Sequence, residues 1–236
     1  MRKSFAAAMS AGLLLAGMVS QAAEAAAATP EPKAFAMAQA DGRPELAGMS
    51  LAQARELQAE IDQQMKDVPG GIQVSANEIA WKGGSVVMSF PVPSQRTAPE
   101  TSGKLLGGAA LKGADAVSPR ATGTCYDTGS CSYQKCPYGF RDMWYCLYAD
   151  RDYGGRRLQW KDVYEYTNAL DQWNFNYQAS SWVNTSTKMT VEVYGPGDQR
   201  LWVMPSRANF FSDPTHNNYV GNDVNDRATS FTAVGG

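Results

Sequence analysis

Asn176-Tyr177-Gln178-Ala179-Ser180-Ser181-Trp182 recurs as Asn225-Asp226-Arg227-Ala228-Thr229-Ser230-Phe231, an offset of 49 residues, and each copy ends on an aromatic residue at a strand-like position. A repeat of that length is too long for one hairpin and suits a four-strand unit, so two copies predict a sandwich of two packed sheets. Ahead of the first copy, the β-prone runs Trp144 to Tyr148 and Arg157 to Trp160 flank a loop from Ala149 to Gly155. Tyr148, Tyr153 and Gly155 give that loop a plan. Tyr153 can fold back on the hairpin, while Gly155 supplies a backbone angle that other residues resist.

Together these residues resemble the βγ-crystallin superfamily, in which each Greek key carries an aromatic-x4-aromatic-x-Gly hairpin followed by an (Asn/Asp)-(Asn/Asp)-x-x-(Ser/Thr)-Ser segment. Tyr148 to Gly155 matches the hairpin, and Asn225 to Ser230 matches the second motif at every specified position. Asn176 to Ser181 departs only at Tyr177, whereas Val193 to Trp202 does not keep the hairpin spacing. With the early cysteines, Leu147-Tyr148-x4-Tyr153-Gly154-Gly155-Arg156 and Trp173-x-Phe175-Asn176-x-x-Ala179-Ser180-Ser181 are most similar to the secreted Streptomyces metalloproteinase inhibitor-like family. The resemblance covers about Cys125 to Val234. It implies an all-β, βγ-crystallin-like sandwich of two Greek keys over residues 125–236, preceded by a small α+β segment that the resemblance does not explain.

The beginning of the chain sets the expected compartment. Arg2 and Lys3 precede an uncharged run from Ser4 to Ser20, and Ser20-Gln21-Ala22 places small residues where a signal peptidase reads. Residues 1–22 therefore read as a signal peptide, and the run is short for a membrane span. A secreted, extracellular protein without a stable membrane anchor is expected. The four cysteines, Cys125, Cys131, Cys136 and Cys146, then predict two disulfides in an oxidising space, with three pairings open. Zinc is disfavoured because no C-x2-C pair is present and the single histidine, His216, is distant. A net charge of −2 provides no basic face for nucleic acid.

Residues 23–48, rich in Ala and Pro, read as a flexible spacer. Ser50 and Gln53 form a capping-box pattern, and Leu51, Ala54, Leu57, Ile61 and Met65 keep helical spacing until Pro69-Gly70-Gly71. Ile79 to Trp81 and Val86 to Phe90 about Gly83-Gly84 predict a hairpin, so residues 49–90 make a small helix-plus-hairpin unit. Residues 91–124 have linker composition. Pro119-Arg120-Ala121 suits a trypsin-like protease, leaving two readings: a removable propeptide ending near Arg120, or an uncleaved accessory unit.

The chain contains no H-E-x-x-H, G-x-S-x-G, P-loop or Rossmann glycine pattern, and no enzymatic activity is expected. The family resemblance implies a peptidase inhibitor, monomeric, whose partner is an extracellular, thermolysin-like metalloprotease. A rigid frame that holds a substrate-like segment extended would bind with little loss of entropy. Pro205 to Asn218, containing Phe210-Phe211, and Tyr126 to Tyr138 are exposed-loop candidates; the reactive bond is not assigned. The resemblance also implies Ca²⁺, with hard oxygen ligands shared crosswise between the halves. Asp226 and Thr229, supported by Asn225 and Ser230, would join oxygens near Asp150 and Asp152. Ser180 and Ser181 would form a weaker site with the loop from Gly195 to Asp198, where Tyr177 removes a polar group. The competing reading is that these hydroxyls only hydrogen-bond their own loops. A calcium-binding structural protein, and a killer-toxin-like protein, are the rival functions.

Overall fold

The computed structural model describes residues 30–102, 131–138, 143–161, 167–209 and 212–235. In the repeat-bearing half, β6 (Trp144–Tyr148), β7 (Arg157–Lys161), β8 (Thr167–Ala169) and β9 (Ser181–Asn184) form the first Greek key. The second comprises β10 (Met189–Tyr194), β11 (Arg200–Met204), β12 (Thr215–Asn217) and β13 (Ser230–Gly235). One sheet contains β7-β6-β9-β12 and the other β11-β10-β13-β8, so each half lends its third strand to the other's sheet. This exchange locks the two copies of the repeat into one sandwich.

Three further strands lengthen the first sheet. β1 (Ile72–Ser75), β2 (Glu78–Trp81) and β3 (Val86–Ser89) continue it in the order β1-β2-β3-β7, all antiparallel. The predicted helix forms as α3 (Leu51–Asp67), with Ser50 and Gln53 making both halves of the capping box. Its buried stripe differs from the expected one. Leu51 is exposed, whereas Gln64, on the same face as Leu57 and Ile61, is buried because its amide is satisfied by the Trp173 carbonyl at 2.8 Å. Within the stretch read as a spacer, α1 (Lys33–Asp41) and α2 (Pro44–Ala47) are helical. Their Ala34, Ala38 and Leu46 join the same buried cluster as Leu57 and Ile61, so tertiary packing supplies the order that local composition does not.

The two sheets show different burial periods. β10 alternates strictly, with Met189, Val191 and Val193 inward, as a sheet with one wet face should. β6 is buried at all five positions. Its inner residues, Tyr145 and Leu147, enter the main core, where Tyr145, Trp160 and Phe231 pack ring against ring at centroid distances of 4.5–5.7 Å. Its outer residues, Trp144, Cys146 and Tyr148, lie under a hairpin of β4 (Cys131–Tyr133) and β5 (Cys136–Tyr138). Gln134 and Lys135 both have positive φ, the geometry of a two-residue hairpin turn. Cys136 and Cys146 are disulfide-bonded and pin this hairpin to the sheet. Cys125 and the side chain of Cys131 lie outside the described residues, as do Phe210 and Phe211.

Candidate functional site

The hairpin loop after β6 follows its predicted plan. Gly155 has φ +69°, and a Cβ there would sit 2.9 Å from that of Ala149. Tyr153 returns over the hairpin to meet Tyr148 edge-on at 5.4 Å. Burial lifts the Tyr153 hydroxyl to about 12, and lifts that of fully buried Tyr148 further still. Tyr148 donates to the Gln134 carbonyl at 2.7 Å, which ties the outer hairpin to the same strand.

The repeated segments occupy equivalent places. Tyr177 and Asp226 are both left-handed, with φ of 56° and 55°. The Tyr177 amide donates to the Ala228 carbonyl and the Asp226 amide to the Ala179 carbonyl, so each segment is clasped by the other. The Ser180 amide donates to Tyr148 and the Thr229 amide to Tyr194, which anchors each segment to the hairpin of its own half.

Two oxygen cups result. In the first, Ser180 Oγ stands 2.7 Å from the Ala149 carbonyl and 3.2 Å from Asp226 Oδ1. A hydroxyl has one proton and can donate to only one of these acceptors. In the second, Thr229 Oγ1 lies 3.3 Å from the Tyr194 carbonyl, and exposed Tyr177 occupies the place that Asp226 takes in the first. The grouping thus differs from the sequence expectation: Asp226 joins Ser180, while Thr229 joins the second hairpin.

The remaining candidates are distributed around these cups. Ser181 Oγ donates to the Asp150 carbonyl at 2.7 Å and accepts from the Tyr153 amide. The Asp152 carboxylate is held by Arg96 and Asn218, each at 3.0 Å. Asn225 donates to Asp226 Oδ2 at 2.6 Å, and its own Oδ1 is buried without a partner, as is that of Asn176. Ser230 is half-buried in β13 beside Tyr194. Among the described residues, no cluster of three His, Cys, Asp or Glu side chains is assembled. A cation in the first cup would therefore depend on one carboxylate and two neutral oxygens, a donor set that fits Ca²⁺ and not zinc.

A second feature joins the two exposed-loop candidates. Tyr133, on the outer hairpin, approaches His216 Nε2 at 3.2 Å with ring centroids 4.9 Å apart. His216 is exposed on the short edge strand β12. The loop leading to it is clamped at its neck. Arg207 is buried and its amide donates to the Ser186 carbonyl, Thr215 Oγ1 donates to the Pro205 carbonyl, and Asn209 and Ser212 exchange hydrogen bonds.

Sequence reasoning missed a buried polar network beside β7. Glu78 and Arg157 have no exposure. Glu78 accepts from Ser75 Oγ at 2.8 Å and from the Ser102 amide at 3.2 Å, and pairs with Arg43 Nη2 at 3.4 Å. Arg157 donates to Gln159 at 2.8 Å, and to Ser89, Pro99 and Thr101 at 3.0 Å each. Burial pulls its guanidinium below the ordinary arginine range, opposed by Tyr148 and Glu78. The signal was faint, because Glu78 and Arg157 sit at the starts of short strands where a charge ordinarily marks a solvent-facing end.

Residues 129–198 match peptidase inhibitor family I36. No curated protein gives a significant match. Among solved structures, the chain is similar to a βγ-crystallin domain from Clostridium beijerinckii, with 25% identity over 38% of this chain and 95% of that one and a TM-score of 0.29. A variant of that domain gives 26% identity over 38% and 95%, with a TM-score of 0.26. The stretch that matches the family takes in the outer hairpin and β6 to β10 and ends at the turn after β10.

Proposed function

We propose that the protein is exported and inhibits metalloproteases of the thermolysin class by holding an exposed segment in substrate-like form on a rigid β-sandwich. The observation that carries this reading is the match of residues 129–198 to peptidase inhibitor family I36. The hydrogen bonds at the neck of the Pro205 to Asn218 loop support it, since holding the ends of a segment in place reduces the entropy lost on entering a protease cleft. The Tyr133–His216 contact adds the outer hairpin to the same face. Among the described residues no helix is long and apolar enough to cross a membrane. The test is a titration of thermolysin, with a serine protease as control, by oxidised protein spanning Glu31 to Gly236. A sharp equivalence point with thermolysin alone is expected. No inhibition by folded protein at micromolar excess would overturn the proposal.

A calcium-binding role is the second reading, favoured by the convergence of Ala149 O, Ser180 Oγ and Asp226 Oδ1 around a single proton. Bound Ca²⁺ would bridge the two halves at the point where their repeats interlock. With one carboxylate, affinity belongs in the roughly 10⁻⁴–10⁻³ M range of extracellular modules. Calorimetric titration with Ca²⁺ tests it; an absence of heat at millimolar Ca²⁺ would dismiss the site.

A further inference from the structure

Residues 31–102 meet the repeat-bearing half along three separate lines. β3 pairs with β7 from Val86 opposite Trp160 to Ser89 opposite Arg157, and the Lys161 amide extends the ladder to the Ser85 carbonyl at 3.0 Å. At one flank, Trp81 packs edge-on against Trp173 at 5.5 Å, while Gln64 bridges the Trp173 carbonyl at 2.8 Å and Arg156 at 3.0 Å. At the other, the segment from Arg96 to Ser102 crosses the outer face of the sheet. The Gly155 amide donates to the Arg96 carbonyl at 2.8 Å, Arg157 donates to Pro99 and Thr101, and Thr101 donates to Gln159 at 3.1 Å.

These contacts are of the kind that fill a protein interior. Trp81, Val86, Met88 and Phe90 belong to the same buried cluster as Leu158, Trp160 and Trp173. Removal of residues 31–102 would turn β7 into an unpaired edge carrying Leu158 and Trp160, and would strip Arg157 of Ser89, Pro99 and Thr101. All four cysteines lie at or beyond Cys125, so no disulfide can tie the two parts together. The attachment is wholly non-covalent once the backbone is cut.

We propose that β7, together with Trp173 and Gln159, is a docking surface whose partner is residues 31–102 of this same chain, and that the partner stays bound after a cut between 103 and 120. A trypsin-like cut at Arg120 then yields a nicked two-piece protein and not a free inhibitor with a discarded propeptide.

The test inserts a recognition sequence for a site-specific protease after Gly113 in the Glu31 to Gly236 chain, cleaves it to completion, and measures mass by size exclusion with light scattering. Both pieces should elute together at the mass of the uncut protein and separate only in guanidinium. Separate elution in native buffer, whatever the state of the larger piece, would overturn the proposal. Val87→Pro removes a ladder donor from β3, which has neighbours on both sides. In the nicked protein it should raise the dissociation constant at least tenfold; unchanged association would show that β7 is not what holds the pieces, and would equally overturn the proposal. Both readouts are hydrodynamic and do not depend on protease inhibition.

Discussion

One carboxylate distinguishes the two oxygen cups. Asp226 and Tyr177 share a left-handed backbone and reciprocal amide hydrogen bonds, yet only Asp226 reaches the hydroxyl of the other repeat. In Ca²⁺ at tenfold excess over Kd, stability should rise by about 1.4 kcal/mol, or about 3–6 °C in Tm for a chain of this size. Scanning calorimetry should show this gain abolished in Asp226→Ala and retained in Thr229→Ala. Tyr177→Asp places a carboxylate at an exposed position whose backbone Asp tolerates, and should raise the calorimetric stoichiometry from one Ca²⁺ to two. The cup's members were legible in the sequence because the motif names them, but their partnership was not. Which repeat faces which hairpin is set by the clasp between Tyr177 and Ala228, a backbone pairing with no sequence signature. Glu78 presents a different energetic problem, being fully buried with Ser75, Ser102 and Arg43 as partners. Glu78→Ala removes the acceptor of the Ser75 hydroxyl and the Ser102 amide and one of the two carboxylates beside Arg43, which keeps Asp41, and should cost about 1–3 kcal/mol, read from the urea midpoint at unchanged slope.

Among the described elements, the outer hairpin is the one that a disulfide ties to its neighbour. Cys136 and Cys146 are separated by 10 residues, a short loop whose closure in the unfolded chain is worth about 3 kcal/mol. Cys136→Ser with Cys146→Ser should lower Tm by roughly 6–12 °C and loosen the contact of Tyr133 with His216. Protection of the Tyr133–Cys136 amides in hydrogen exchange would fall first. The repeat of 49 residues identified the sandwich because strand exchange between Greek keys preserves the spacing of its parts. β2 and β3 were readable as a hairpin, but β1 was not read as a strand and none of the three was read as an extension of the sheet. Their edge-to-edge partner, β7, is about seventy residues away, and hydrophobic patterning records faces and not edges. The helices α1 and α2 were unreadable for a related reason: Ala34, Ala38 and Leu46 matter only once α3 and the sheet exist to bury them.

At the scale of the molecule, tyrosine burial sets the alkaline limit. Tyr153 is raised by burial from 10.0 to about 12, and Tyr148 is raised further. Below pH 10 both hydroxyls keep their protons whether the chain is folded or not, and their contribution is fully present. Between pH 10 and about 12 the unfolded chain releases protons that the folded chain retains, so stability should fall as pH rises through that window. Tyrosinate absorbance should show at least two of the 11 tyrosines resisting ionisation until the protein unfolds. If all titrate near pH 10 in folded protein, the packing of Tyr148 against Tyr153 is looser than described.

The pairing of β3 with β7 also bears on the order in which the molecule assembles. Val86 is synthesised well before Trp160, its partner across the ladder. Until then Val87 and Met88 have half of their hydrogen-bonding neighbours, and the first sheet exists only as a three-strand fragment with an open side. Contacts that span so much sequence are entropically late and make folding slow. The growing chain thus carries an open flank from the synthesis of β3 until β7 follows, a delay that its local turns do not share.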